Sequence, residues 1–176
     1  YSSLDVIGVQ VAAAVKNVIA IAFGILDALM EISPMIGDNT ESLLLAAGLN
    51  EIQTLGMALG SQYPETFTSI AGVGDLDVTC RSKFGRNRRF GREIIVDRIL
   101  SRYSDIDDLL KNISQIGYLP EGVAAAKYTQ QIAEENRLKL NIVNKVYSIL
   151  NREIEPMQAV KAMLGSIAGV TESEEA

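Results

Sequence analysis

Residues 5–30 read DVIGVQVAAAVKNVIAIAFGILDALM, and the meaning given to this stretch decides the fold. It has the length of a bilayer-spanning helix, which needs about 20 mostly apolar residues. Against that reading, Lys16 and Asn17 stand at its centre and Asp27 near its far end. A lysine at that depth costs about 2.5–3.5 kcal/mol on insertion. No cluster of Lys or Arg flanks the segment to orient it. The stretch therefore reads as the buried helix of an all-α domain, and no membrane partner is expected.

Outward from it the pattern stays helical, with little alternation of period two. A second helix follows GDNTES, where Asp38 and Glu41 have capping-box spacing, and stops near Gly60. Pro64 opens a short helix that ends in a glycine loop. Another helix follows the arginines, with Ile94, Ile95, Ile99 and Leu100 on its apolar side. Ser104 and Asp107 suggest a cap for a short helix holding Leu109 and Leu110. Pro120 precedes an alanine-rich helix beginning at Glu121. Two more helices cover about 141–150 and 157–167, with Pro156 at a first-turn position. Residues 1–170 thus form one compact multi-helix domain, and TESEEA (171–176) is an acidic, disordered tail.

At 176 residues, 48% hydrophobic, 22% charged and with net charge −6, the chain suits a globular domain. An acidic balance gives no general attraction to nucleic acid or anionic lipid. The one cysteine, Cys80, excludes an intramolecular disulfide, fits a reducing compartment and reads as a small buried residue. Histidine is absent, so no Cys-His or Ser-His pair exists. Acid–base chemistry falls to lysine, carboxylate or tyrosine, and no metal-ligand spacing is present. The chain begins at Tyr1 and opens directly into an element, as a piece cut from a longer protein would.

The chemistry concentrates in TFTSIAGVGDLDVTCRSKFGRNRRFG, residues 66–91. Gly72 and Gly74 let backbone approach a ligand closely. Asp75 follows them and either caps the helix DLDVTCR or turns its carboxylate to a ligand; Asp77 falls on the opposite side. Arg86, Asn87, Arg88, Arg89 and Arg92 offer planar, bidentate donors suited to phosphate. The bland alternative is a solvated charged face. A nucleic-acid module is a further alternative, with Phe84 and Phe90 as stacking platforms. Lys16, surrounded by apolar residues, is either a desolvated proton acceptor or a lysine that reaches the surface or pairs with a carboxylate. Glu121, in a first helical turn, complements the helix dipole.

In order along the chain these motifs resemble one family, the NAD(P)-dependent glycerol-3-phosphate dehydrogenases, in their C-terminal substrate-binding half. The likeness rests on VKNVIAIAFGILDAL, IGDNTESLLLAAGLNEI, the 66–91 segment and PEGVAAAKYTQQIA. It implies a fold like the C-terminal domain of 6-phosphogluconate dehydrogenase-like enzymes, with the N-terminal Rossmann domain absent. It implies that Lys16 is the catalytic base and that Asp75 contacts substrate and orients the lysine. Arg86 would bind substrate phosphate and coenzyme, Asn87 would hold substrate, and Leu119 and Glu121 would contact NAD or NADP. Glycerol 3-phosphate and dihydroxyacetone phosphate would be the substrates, in the cytoplasm. Gly85 stands where many members carry a serine that touches substrate, so a backbone N–H would have to substitute; Glu41 is also atypical and has no assigned role. Without the Rossmann half, the chain alone would be inactive. Long apolar helices are compatible with a homodimer. A helical dimerisation domain of dehydrogenase ancestry, or a phosphate or nucleic-acid module built on the Arg86–Arg92 patch, remain the alternatives.

Overall fold

The structure is a computed structural model that describes residues 3–32 and 38–168. The 171–176 tail and the Asp38 side chain of the expected capping box lie outside the described residues. Among the described residues there is no strand, and the all-α expectation holds. Helices α1 (Val6–Met30), α2 (Asp38–Ala58) and α3 (Glu65–Thr68) come first, followed by a π-helical turn at Ile70–Gly74. Then come α4 (Asp75–Arg81), α5 (Arg86–Val96), α6 (Ile106–Lys111), α7 (Glu121–Glu135), α8 (Asn141–Leu150) and α9 (Pro156–Ala168). Short 3-10 turns at Ile99–Arg102 and Ile113–Ile116 flank α6.

The apolar stretch that opens the sequence is the axle of the domain. By length and composition α1 could cross a membrane, yet its residues from Val18 to Leu26 are buried against the other helices. With α2, α3, α4, α5, α7 and α8 all packed on it, a helix hydrophobic on every side has apolar partners on most sides. Phe67, Leu76, Phe90, Val123 and Val146 complete the core from those neighbours. Asp5 starts α1, accepting from the Gly8 N–H at 2.9 Å and from Ser61 Oγ at 2.7 Å.

Two helices lie in backbone contact with α1, and glycine makes this possible. A Cβ on Gly91 of α5 would fall 2.9 Å from Gly24 Cα and deep inside the radius of the Ile21 carbonyl oxygen. A Cβ on Gly122 of α7 would sit 2.5 Å from the Asn17 carbonyl oxygen. Close approach at these points brings the N-termini of α5 and α7 beside Lys16 and Asn17. The α8 N-terminus is closed differently, by Glu51 of α2. Its carboxylate accepts from the Ile142 N–H at 2.7 Å and the Val143 N–H at 3.1 Å.

Some local expectations shift. The cap of α6 is Asp105, which accepts from the Asp108 N–H, while Asp108 accepts from the Ser104 N–H; the motif sits one residue from where Ser104 and Asp107 suggested. The glycine loop is no loop. Ser69 caps a π-helical turn through Gly72 and Gly74 that runs straight into α4.

Candidate active site

Lys16 projects from the N-terminal half of α1, and its ammonium is ion-paired with Asp75 of α4. The lysine side chain is 20% exposed, so of the two readings open from the sequence it is pairing with a carboxylate, not sequestration among apolar neighbours, that is seen. The surrounding residues of α1 explain the difference: Ala13 and Ala14 are exposed, and the helix is fully covered only from Val18 onward. Asp75 is not a cap. It has helical dihedrals, its N–H continues the preceding turn, and its carboxylate turns to Lys16. Asp77 faces away, as expected, and bonds Arg81 at 2.7 Å.

The two glycines before Asp75 differ in purpose. A Cβ on Gly72 would collide with the Phe67 backbone, so this glycine serves chain packing, not ligand approach. Gly74 has helical dihedrals and nothing closer than 3.8 Å to a Cβ. No packing reason for a glycine exists there.

An amide relay links three of the four helices that carry the expected residues, α1, α5 and α7. Asn17 accepts from Asn87 Nδ2 at 2.9 Å, and the Asn87 carbonyl oxygen accepts from the Gly122 N–H at 2.8 Å. Asn17 also donates to the Ala13 carbonyl at 3.1 Å. Asn87 is 7% exposed, so its amide is a bridge within the protein more than a free hand for ligand. Lys16, Arg86 and Glu121 each immediately precede one member of this relay. Two of the three meet: Arg86 Nη2 donates to Glu121 Oε1 at 3.1 Å, with both side chains about half exposed, while Lys16 pairs with Asp75. Leu119, 48% exposed, lies two residues before Glu121. Asn17 was missed as a bridge, although a lone amide beside a lone lysine in an apolar helix was the available signal.

Gly85 starts α5 in an extended conformation, and no side chain caps the helix. Its N–H is bonded to the Ser82 carbonyl at 3.0 Å, so it cannot replace a serine hydroxyl toward substrate. A Cβ there would come within 3.2 Å of the Ser82 oxygen, a tight but small demand.

The remaining arginines are spoken for. Arg88, only 12% exposed, is held bidentate by Asp27 and caps the C-terminus of α4 through the Cys80 and Arg81 carbonyls at 3.0 and 2.7 Å. Its hydrogen bond to Asp27 outweighs its burial and raises its pKa further. Arg92 pairs with Glu31 at 2.9 Å and Arg89 with Glu93 at 2.7 Å. Asp27 in the last turn of α1 and Glu31 at its C-cap thus meet Arg88 and Arg92, one turn apart on α5. Phe90 is fully buried, while Phe84 is 97% exposed, so the two do not form a pair of stacking platforms. Cys80 is buried, and burial, reinforced by Asp77, pushes its thiol up, away from nucleophile chemistry.

Among the described residues, two of the surface depressions stand out. One of about 690 Å³ lies between the C-terminal part of α1 and α5, lined by charged residues that include Asp27, Lys83, Arg88 and Arg92. The other, about 380 Å³, lies by Asp5, Val9 and Ile70. Neither includes Lys16, Asp75 or Arg86. Among the described residues, no group of three His, Cys, Asp or Glu could hold a metal ion.

Comparison with known proteins gives this arrangement a context. Residues 5–161 match the family described as NAD-dependent glycerol-3-phosphate dehydrogenase C-terminus. Over 164 residues the chain is 65% identical to a Treponema denticola protein named glycerol-3-phosphate dehydrogenase (NAD(P)+), covering 93% of this chain and 46% of that protein. A Treponema pallidum protein of the same name is 65% identical over 153 residues, 87% of this chain and 43% of its own length. The crystal structure of a Coxiella burnetii glycerol-3-phosphate dehydrogenase superposes with a TM-score of 0.77 at 32% identity, over 93% of this chain and 46% of that one. The chain spans a little under half the length of the relatives it matches.

Proposed function

The chain belongs to the family of NAD-dependent glycerol-3-phosphate dehydrogenase C-terminal domains, and from this we propose that it is the substrate-binding half of an enzyme interconverting sn-glycerol 3-phosphate and dihydroxyacetone phosphate. Two observations support the reading together: the Lys16–Asp75 ion pair, and the Asn17–Asn87–Gly122 relay that joins the helix carrying Lys16 to those carrying Arg86 and Glu121. A phosphorylated triose needs one anchor for its dianion and one proton handle at its central oxygen. Arg86 supplies the first, with the uncapped N-terminus of α5 directly behind it. Lys16 supplies the second.

In the reducing direction the Lys16 ammonium hydrogen-bonds the carbonyl oxygen of dihydroxyacetone phosphate and gives it a proton as the C2 alkoxide develops. In the oxidising direction the neutral amine takes the proton of the C2 hydroxyl. Asp75 fixes the amine's position through the ion pair, and Asn87 fixes Arg86 through the relay. NAD or NADP, when bound, accepts or supplies the hydride at C2. The residues here fit one edge of such a coenzyme: Arg86 offers a half-exposed guanidinium for phosphate and Leu119 an exposed apolar surface, with Glu121 between them. The rest of the coenzyme site, and the preference between NAD and NADP, belong to a Rossmann half outside this sequence. We assign the action to the cytoplasm, in keeping with one buried free thiol, and keep a homodimer as part of the proposal.

The test is NADH-dependent reduction of dihydroxyacetone phosphate by the complete enzyme. Asp75→Asn should lower kcat while leaving the coenzyme KM close to wild type. Unchanged kcat would remove Asp75 from the site. The nucleic-acid reading of the Arg86–Arg92 patch gains no support, because Arg88, Arg89 and Arg92, which would extend the patch beyond Arg86, already face carboxylates, and Phe84 and Phe90 do not form a platform.

A further inference from the structure

We infer that Tyr118, with Glu93 and Arg89, is a positioning clamp that sets where the Leu119–Glu121 segment stands relative to Arg86. The inference rests on the proposed reading of Leu119 and Glu121 as a coenzyme edge. Arg86, Arg89 and Glu93 lie at positions i, i+3 and i+7 of α5, and so share one face of that helix. The segment Gly117–Glu121 runs along this face in the opposite direction. At one end Glu121 accepts from Arg86 at 3.1 Å. At the other the Tyr118 hydroxyl donates to Glu93 Oε2. The Arg89 guanidinium lies 4.5 Å from the Tyr118 ring centroid and bonds Glu93 at 2.7 Å, closing a triangle.

The segment needs such a clamp. It leaves its 3-10 turn through Gly117, whose φ of 84° is left-handed and whose surroundings are open, so neither packing nor a bulky residue holds the chain there. Leu119 is half exposed and Glu121 reaches outward. Between Gly117 and the start of α7, Pro120 is buried and holds the far end, while the half-buried Tyr118 ties the near end to Glu93 and Arg89 of α5. Glu93, 17% exposed, is shielded enough for its bond to the phenol to persist. Burial, helped by Glu93, raises the phenol pKa, so Tyr118 remains a donor across the working pH range. Without the hydroxyl bond, Leu119 would be held from the Pro120 side alone and would move more freely on Gly117, and a coenzyme docking there would have to order it first.

Tyr118→Phe in the complete enzyme tests this, because the ring and its contact with Arg89 are kept and one hydroxyl is lost. The Kd for NADH, read by fluorescence titration, should rise about fivefold, with the KM for dihydroxyacetone phosphate unchanged. Glu93→Gln, which keeps an acceptor for the phenol, should recover most of that affinity relative to Glu93→Ala. Leu119→Asp, measured alongside, tests the underlying reading by itself. If Leu119→Asp weakens NADH binding and Tyr118→Phe does not, the clamp is overturned while the coenzyme edge stands. If Leu119→Asp leaves binding unchanged, the coenzyme edge itself is wrong and the clamp falls with it. A Tyr118→Phe variant that worsens both constants together with Tm reports a general structural role, which also overturns the inference.

Discussion

Replacing Gly91 by alanine should destabilise the chain, although alanine is the better helix former by about 1 kcal/mol. The structure supplies the magnitude. The new Cβ would lie 2.9 Å from Gly24 Cα and 2.9 Å from the Ile25 nitrogen, and closer still to the Ile21 oxygen. Carbon pairs prefer about 3.5–4.0 Å, so α1 and α5 must part by about 0.6–1 Å. Overpacking of this kind costs about 1–3 kcal/mol. The same parting stretches the Asn87–Asn17 hydrogen bond from 2.9 Å beyond useful range, which removes about 1 kcal/mol more. After crediting helix propensity, a net loss of about 2 kcal/mol remains. Gly74→Ala is the matched control: its φ of −64° and ψ of −46° are helical and its Cβ site is open, so it should gain about 0.5–1 kcal/mol. Urea unfolding followed by circular dichroism, with the slope m compared among the three proteins, reads both changes. If Gly91→Ala were as stable as wild type, the backbone contact between α1 and α5 would not exist as described.

Other consequences can be measured on the complete enzyme or on the chain. Lys16→Ala should cut kcat by about 10²–10⁴-fold with little change in the substrate KM, the pattern of a lost proton donor; steady-state kinetics with dihydroxyacetone phosphate checks it, and intact turnover would end the assignment. Arg86→Ala should raise the KM for dihydroxyacetone phosphate about 10–100-fold, the worth of a charge-assisted phosphate contact; an unchanged KM would exclude Arg86 as its anchor. Glu51 carries a pH signature. Burial, opposed by the Ile142, Val143 and Asn141 N–H groups, pushes its carboxyl up to about 7 from the ordinary 4.5. The folded chain therefore holds this proton more tightly than the unfolded chain. The group's contribution to stability falls as pH rises from about 4.5 to 7, by about 3 kcal/mol in all. The stability of Glu51→Gln minus that of wild type should rise across this window in urea titrations, and a flat difference would show that Glu51 ionises freely in place.

What could be read from the sequence follows physical rules of different reach. Elements were legible where patterning and breakers are local: the apolar run of α1, Gly60 ending α2, and Pro120 and Pro156 starting α7 and α9. The cluster around Lys16 was legible only through a resemblance, because the pairing of Lys16 with Asp75, 59 residues apart, is a product of helix packing. Two local inferences failed for the same reason. Gly72 and Gly74 look like a flexible loop, yet Ser69 caps them into a π-helical turn and Phe67 requires one of them small. The arginines look like a free patch, yet Asp27 in the last turn of α1 and Glu31 at its C-cap neutralise Arg88 and Arg92. The Asn17–Asn87–Gly122 relay needs three helices at backbone contact, which no window of sequence reveals.

The most direct test is a crystal structure of the complete enzyme with dihydroxyacetone phosphate bound. The C2 oxygen should lie within hydrogen-bond distance of Lys16 Nζ, with the phosphate on Arg86 and the first turn of α5. A triose phosphate seated instead among Lys83, Arg89 and Arg92, with Lys16 still held by Asp75 and touching nothing else, would contradict the account.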